Sequence, residues 1–405
     1  MNKRNGNMWS NRLIGVCAGL AALSGCGDNT SEPPGRPPAP VLATLDGKAP
    51  LVVAHRGASG YVPEQTVEAY AMAIAHGADA IEPDVVSTKD GVLIARHDPN
   101  LAYSTDVASH PQFAARKKTM NVDGDVQEGW FAGDFTLAEI KTLGGLSTDA
   151  ERPQQFNGKY RIATIAEVID MVKKSGKQIA VDPETKNPTF HRQQGLPLED
   201  KLLALLTAAG WTTKDAPVFV QSFEPGSLKY MRGKGSQLKL IQLIDADDVD
   251  LKTGALTYAP PYHRPYDWQM AGDTRLFSAM VTPAGLAEIK TYADGIGPWK
   301  RYVVSVKGTL GVDGKIMDIN GDGKVNEADT ATTAPSTLIA DAHKAGLFVH
   351  AYTFRDEKRR LASDYKGDPK LEYKQFYELG IDGVFSDFAD TALTAKAQFL
   401  KAKGL

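Results

Sequence analysis

The fold is decided by three apolar runs, LVVAHR at 51–56, AIEPDVV at 80–86 and VLIARHD at 92–98. Each run has the character of a strand and carries charged or imidazole side chains at or near its end. A barrel enzyme builds its site in this way, because its strands deliver polar residues to one rim. Glu82 and Asp84 are two residues apart, so on a strand their side chains share a face. Two carboxylates in that position repel each other unless a cation lies between them.

The rest of the chain alternates strand-like and helix-like segments, which is typical of a parallel α/β fold. The predicted strands are 51–56, 80–86, 178–184, 217–222, 238–244, 302–306, 347–353 and 382–386. The predicted helices are 65–76, 164–175, 198–209, 226–232, 283–292, 335–345, 369–379 and 388–402. This tally suggests a (β/α)8 barrel, although periodicity alone leaves a doubly wound sheet open. We expect 92–97 to form a short extra strand or hairpin arm.

The same residues resemble the glycerophosphodiester phosphodiesterase family, and its periplasmic bacterial branch most closely. The family pattern of His-Arg, Glu-x-Asp and His-Asp is present as His55-Arg56, Glu82-Pro83-Asp84 and His97-Asp98. Gln65 stands where the family usually has Asn, a mild departure. The resemblance covers roughly residues 51–400 and decides for a TIM barrel. It also implies that the long segment between His97 and Ile162 is an insertion after the second strand that covers the active-site mouth.

Three carboxylates are the candidate metal ligands: Glu82, Asp84 and, by the resemblance, Glu184 at the end of the third predicted strand. Carboxylates at strand ends suit a hard divalent cation, so we expect Ca²⁺, with Mg²⁺ as the other choice. The alternative is three solvated acids at the starts of loops. Asp182 shares the alternation of Glu184 and is a lesser candidate.

His55 and His97 are the candidate acid–base pair, because cleaving a phosphodiester needs one group to accept a proton and another to donate one. The sequence leaves open which histidine has which role, and whether the nucleophile is water or the substrate's own glycerol hydroxyl. Arg56 would hold the phosphate through a charge-assisted fork. The resemblance implies a second phosphate contact from Lys186, with a solvated lysine as the alternative.

The start of the chain predicts export and a lipid anchor. Basic residues precede a short apolar stretch at 13–23, which is too short to span a bilayer and is typical of a secretory signal. LSGC at 23–26 resembles a bacterial lipoprotein processing site, so 1–25 would be the signal peptide and Cys26 the lipidated residue. The proline-rich residues 26–50 then form a tether, and 51–405 the catalytic domain. We expect the outer membrane, facing the periplasm.

A second motif lies at 318–329, DINGDGKVNEAD. Its oxygen-bearing side chains fall at positions 1, 3, 5, 9 and 12 with Gly at 6, which is the spacing of an EF-hand calcium loop. We therefore expect a structural Ca²⁺ bound through Asp318, Asn320, Asp322, the carbonyl of Lys324, Asn326 and Asp329. Asp at position 12 is shorter than the usual Glu, and a polar turn without metal is the alternative.

The resemblance implies hydrolysis of glycerophosphodiesters, such as glycerophosphocholine, to sn-glycerol 3-phosphate and an alcohol. One alternative is a related phosphodiesterase acting on lysophospholipid or sphingomyelin, and another is a non-catalytic calcium-binding surface lipoprotein. The formal net charge of −3 over 405 residues gives no reason to expect nucleic-acid binding. Aromatic residues at 258–268, among them Tyr262 and Tyr266, could line a substrate entrance or simply pack on the barrel.

Overall fold

Eight parallel strands form the centre of the protein. The structure is a computed structural model that describes residues 41–405. Cys26, the predicted signal peptide and most of the predicted tether lie outside the described residues. In chain order the barrel strands are Leu51–His55, Ala80–Glu82 continued by Asp84–Ser87, Ala180–Val181 continued by Glu184–Thr185, Phe219–Ser222, Lys239–Ile244, Gly295–Pro298, Phe348–Phe354 and Gly383–Ser386. We number these strands one to eight.

The strand pairing closes this sheet into a barrel. The first strand pairs with the second and with the eighth, and the remaining strands pair in chain order. The second and third strands pair both before and after their interruptions, as Ile81 with Val181 and Asp84 with Glu184. The interruptions fall at Pro83 and Pro183, which lack the N–H that a ladder requires. The predicted (β/α)8 TIM barrel is confirmed.

The helices cover the outside of the barrel, and all the predicted ones are confirmed with small shifts of their ends. They are Val67–His76, Ile165–Lys174, Glu199–Ala208, Pro225–Gly233, Pro283–Lys290, Leu338–Lys344, Pro369–Glu378 and Ala389–Ala402. Further short helices span Leu137–Ile140, Pro188–Gln193 and Tyr266–Met270. Local sequence sets their starts: Thr164 and Glu167 form a capping box that satisfies free N–H groups at the start of Ile165–Lys174. Within residues 41–405, no helix combines the length and the apolar character needed to cross a membrane.

The predicted sixth strand at 302–306 is wrong, because the structure has it at Gly295–Pro298. Glycine is required there by the close approach of neighbouring side chains. A Cβ atom on Gly295 would lie 2.3 Å from the Phe348 ring, and one on Gly297 would lie 2.5 Å from Leu243. Tyr302 instead ends a short 3₁₀ turn, Lys300–Tyr302, and Val303 and Val304 are buried in the loop after it. Val306 begins a separate short strand, Val306–Gly308.

The segment after the second strand is an insertion with its own small core. The predicted hairpin arm is confirmed as Leu93–Ala95, which pairs antiparallel with the second strand. A hairpin of Lys118–Val122 and Asp125–Gly129 follows, and then the helix Leu137–Ile140. Buried apolar residues hold the insertion together: Leu101, Val107, Phe113, Trp130, Phe135, Ile140, Leu143 and Ile162.

Candidate active site

Strand register places the predicted site residues side by side. His55 lies opposite Glu82, Asp84 lies opposite Glu184, and Glu184 lies opposite Gln221. His55 ends the first strand, Glu82 and Asp84 flank the break in the second, and Glu184 and Gln221 lie one residue before the ends of the third and fourth. Barrel enzymes carry their sites at this rim. The predicted carboxylates are therefore brought together by the ladder itself.

Glu82, Asp84 and Glu184 form a buried triad. One oxygen atom from each residue lies within 4.8 Å of the others, and each residue is at most 5% exposed. Among the described residues, no other set of three or more His, Cys, Asp or Glu side chains converges in this way. Oxygen ligands of this kind match hard divalent cations.

Ionising all three carboxylates of the triad is unfavourable without a cation. Burial and the charges of Asp84 and Glu184 hold the pKa of Glu82 well above its usual value. Burial, opposed by Lys186 but supported by Asp84, raises the pKa of Glu184 to about 8. Burial would also raise the pKa of Asp84, but Lys186 and Arg56 together lower it. The buried Oδ1 of Asp84 has no hydrogen-bond partner among residues 41–405. The residues present therefore fit a divalent cation.

His55 is held by a carboxylate from the far end of the chain. Its Nδ1 lies 2.5 Å from Oδ1 of Asp387, which follows the eighth strand. Asp387 also pairs with Arg152 at 2.6 Å and Arg355 at 2.8 Å. These interactions fix the plane of the imidazole ring and leave Nε2, 3.8 Å from Glu82, directed at the triad. Burial and Arg56 lower the pKa of His55 to about 4, although Asp387 acts in the opposite direction.

Arg56 connects the triad to the loop that follows the first strand. Its backbone is left-handed, with φ +58°, and its N–H donates to Glu82 at 3.0 Å. Its guanidinium pairs with Glu64 at 3.0 Å and lies 3.4 Å from Asp84. Gln65 donates to Asp84 at 2.6 Å. The residue that departs from the family pattern thus lies against a triad carboxylate.

His97 and Lys186 complete the set of predicted site residues. His97 follows the arm Leu93–Ala95, and its Nδ1 lies 3.0 Å from Asp98. The Nζ atom of Lys186 lies 2.8 Å from Glu184. The side chain of His97 is about one-third exposed, whereas Lys186 is buried.

One cavity of about 510 Å³ contains most of these groups. The predicted residues that line it are His55, Arg56, Glu82, His97, Glu184 and Lys186. Asp84 lies behind them in contact with Arg56. The predicted calcium loop at 318–329 is not among the lining residues. The sequence allowed Tyr262 and Tyr266 either to line a substrate entrance or to pack on the barrel, and both line the cavity.

Several residues of the site were missed by sequence reasoning. Asp387 orients His55, and Gln221 donates from Nε2 to Glu82 at 3.0 Å. Arg152 reaches Asp387 from the insertion, and Glu64 anchors Arg56. Asp387 and Gln221 carry one usable signal, since both are polar residues at the ends of predicted strands. Arg152 has no such signal, because it lies in the insertion, outside every predicted strand and helix, and is 235 residues away from its partner in sequence.

Side chains of the loop at 318–329 accept hydrogen bonds from the loop's own backbone. Asp318 accepts hydrogen bonds from the backbone N–H groups of Gly321 and Gly323, both at 2.8 Å. Asp329, fully buried, accepts from Ile319 at 2.8 Å and Asn326 at 2.9 Å. Asp329 therefore joins the two ends of the loop, and Asp318 holds the turn in its first half.

Comparison with known proteins gives concordant matches. The family model described as "Glycerophosphoryl diester phosphodiesterase family" matches residues 55–391. A glycerophosphodiester phosphodiesterase of Arabidopsis thaliana is 37% identical over 85% of this chain and 85% of its own. One of Haemophilus influenzae is 30% identical over 94% of this chain and 95% of its own.

Solved structures have the same fold at lower identity. A glycerophosphoryl diester phosphodiesterase from Silicibacter pomeroyi has a TM-score of 0.55 at 19% identity, covering 88% of this chain and 98% of its own. A phosphodiesterase from Oleispira antarctica, solved with the product sn-glycerol-3-phosphate, has a TM-score of 0.52 at 18% identity, covering 87% and 98%.

Proposed function

Because the chain belongs to the glycerophosphoryl diester phosphodiesterase family and is a phosphoric diester hydrolase, we propose that it cleaves soluble glycerophosphodiesters. Glycerophosphocholine and glycerophosphoethanolamine are the proposed substrates, and sn-glycerol 3-phosphate and an alcohol are the products. The observation that carries this proposal is the convergence of His55, His97, Arg56, Glu82 and Glu184 on one cavity, with Asp84 completing the carboxylate triad behind it.

The triad would hold the divalent cation. Glu82, Asp84 and Glu184 supply only oxygen ligands, which favours Ca²⁺ and allows Mg²⁺. A cation bound there neutralises charge on a phosphate oxygen and lowers the pKa of a nearby hydroxyl. Arg56 and Lys186 add positive charge at the same end of the cavity and would bind the remaining phosphate oxygens.

The two histidines would transfer the protons. One takes a proton from the nucleophile, and the other gives a proton to the leaving alkoxide. Each ring is suited to this role because a carboxylate binds its Nδ1, Asp387 for His55 and Asp98 for His97. The nucleophile is water or the substrate's own glycerol hydroxyl, and the second would yield a cyclic phosphate that can be trapped and identified.

Alanine substitutions test the assignment. His55→Ala and His97→Ala should each lower kcat by about 100-fold or more, the usual scale for an acid–base group. Both variants should stay folded, since rim residues of a barrel serve function more than stability. His76→Ala, on the outer helix Val67–His76, is the matched control. Near-normal turnover in either site variant would remove that histidine from the mechanism.

A structural Ca²⁺ in the loop at 318–329 is a separate part of the proposal. Its support is the ligand spacing and the closed form of the loop around Asp318 and Asp329. The loop lies outside the cavity, so this ion would stabilise the fold without taking part in the reaction.

The proposed location is the outer membrane, with the domain facing the periplasm. The support is the motif at 23–26, which would direct lipidation of Cys26 after removal of 1–25. Residues 26–50 would then tether the domain 51–405 to the membrane.

A further inference from the structure

The active-site cavity has a second wall whose character differs from the catalytic one. Past the triad it is lined by carboxylates and aromatic rings, which come from the insertion and from the loops after the fourth, fifth and sixth strands. These residues are Asp123, Glu224, Asp245, Tyr262, Tyr266 and Trp299. The reaction proposed above uses none of them.

The carboxylates of this wall are not neutralised by the protein. Glu224 is 4% exposed and, in the part of the chain that the structure describes, accepts hydrogen bonds only from the backbone N–H and the hydroxyl of Thr189. Asp123 accepts from Asn187 at 2.7 Å through Oδ2, while its buried Oδ1 has no partner. Within residues 41–405, neither Asp123, Glu224 nor Asp245 forms a salt bridge. Glu224 is thus a buried carboxylate without a cationic partner, which is unfavourable. Arg264 lines the same cavity but forms no salt bridge with Asp123, Glu224 or Asp245 among the described residues.

The charges of the wall reinforce one another. Burial and the charge of Asp123 hold the pKa of Glu224 well above its usual value. Burial, partly opposed by Asn187 and Lys186, raises the pKa of Asp123 to about 6. Asp267, next to the cavity on the helix Tyr266–Met270, adds to the negative potential at both residues. A bound cation would relieve this repulsion.

The aromatic rings on the same wall favour one kind of cation. Tyr262, Tyr266 and Trp299 line the cavity together with the carboxylates. Ring faces attract ammonium groups, and quaternary ammonium most characteristically, within about 6 Å of the ring centre. Arg56 and Lys186, which would bind the phosphate, line the same cavity, so one cavity holds groups for both charges of a zwitterion.

We propose that Asp123 and Glu224, with the rings of Tyr262, Tyr266 and Trp299, bind a cationic head group and select it over uncharged ones. The inference rests on the proposed function, since it assigns the alcohol end of the same substrate. It predicts a preference for choline and ethanolamine diesters, which are zwitterions that carry a phosphate and a cationic head group.

The test is a ratio of specificities. We would measure kcat/KM for glycerophosphocholine and for glycerophosphoglycerol, which has an uncharged head group, in the wild type and in Glu224→Gln and Asp123→Asn. Loss of one charge contact should lower the choline-to-glycerol ratio about tenfold. Glu128→Gln is the matched control, because Glu128 lies on the same hairpin as Asp123 but is 64% exposed and outside the cavity. A general folding defect would lower both values and leave the ratio unchanged. An unchanged ratio in both variants would overturn the inference.

A binding measurement separates this inference from the proposed function. Choline chloride, against sodium chloride at equal ionic strength, should raise the Tm of the wild type and of Glu128→Gln but not of Glu224→Gln. This result would support the head-group site even if the wild type cleaved no glycerophosphodiester, an outcome that would defeat the proposed function alone. No choline-specific shift in the wild type, together with an unaltered ratio, would defeat the inference alone. Lysophosphatidylcholine as a third substrate shows whether the choline comes from a soluble diester or from a lipid.

Discussion

Asp387 gives the sharpest prediction about catalysis. Its Oδ1 lies 2.5 Å from Nδ1 of His55, and its side chain is only 2% exposed. A hydrogen bond to a charged group contributes about 1.5–3 kcal/mol. If Asp387→Asn removes that amount from the transition state alone, kcat should fall by about 10- to 150-fold, since each 1.4 kcal/mol or so is tenfold in rate. KM should change little, because Asp387 does not line the cavity.

The assay is steady-state release of sn-glycerol 3-phosphate, with Tm measured in parallel. Asp387 also pairs with Arg152 and Arg355, so a loss of stability must be separated from a loss of chemistry. Glu357→Gln provides the control, because Glu357 pairs with the same Arg152 at 2.7 Å and does not contact His55. A kcat for Asp387→Asn equal to that of Glu357→Gln would refute the argument that Asp387 acts through His55.

Three further predictions concern stability, calcium and location. Burial lowers the pKa of His350 to about 4, so the stability that neutral His350 contributes is fully present above about pH 6.5 and is lost as the pH falls towards 4. Between about pH 7 and 4.5, the free energy of unfolding measured by urea titration should therefore fall by about 2 kcal/mol more in the wild type than in His350→Gln. Asp318→Ala with Asp322→Ala should remove the part of the Ca²⁺ stabilisation that comes from the loop, about 2.7 kcal/mol at a hundredfold excess over Kd, and leave turnover largely intact. Glu82→Ala should abolish turnover and keep the stabilisation that comes from the loop. A double variant as inactive as Glu82→Ala would contradict two separate sites. Cys26→Ser should release an active enzyme into the soluble fraction, and firm membrane attachment of that variant would exclude the anchor.

Much of the fold could be predicted because the local signals agree with the barrel. The apolar runs that end at His55 and continue through Glu82 have strand character, and Thr164 with Glu167 marks a helix start. The sixth strand is the exception. Gly295 and Gly297 have low strand propensity, and they are required only because Phe348 and Leu243 approach so closely. That requirement comes from neighbouring strands and is not visible in the local sequence.

The candidate site, like the fold, could be predicted only in part. Glu82 and Asp84 could be paired from sequence because a strand places residues two apart on one face. The partnership of His55 with Asp387 spans 332 residues and depends on the first strand pairing with the eighth. The acidic wall could not be foreseen at all, since Asp123 is on a hairpin of the insertion and Glu224 follows a strand on the barrel.

The most direct measurement of the central claim is the release of sn-glycerol 3-phosphate from glycerophosphocholine before and after removal of metal. Chelation with EDTA should abolish the activity of the wild type, and Ca²⁺ or Mg²⁺ should restore it. The same addition should not restore Glu82→Ala, because one of the three triad carboxylates is lost. Full activity in EDTA, or a Glu82→Ala variant that responds to metal like the wild type, would contradict a metal-assisted reaction at the triad.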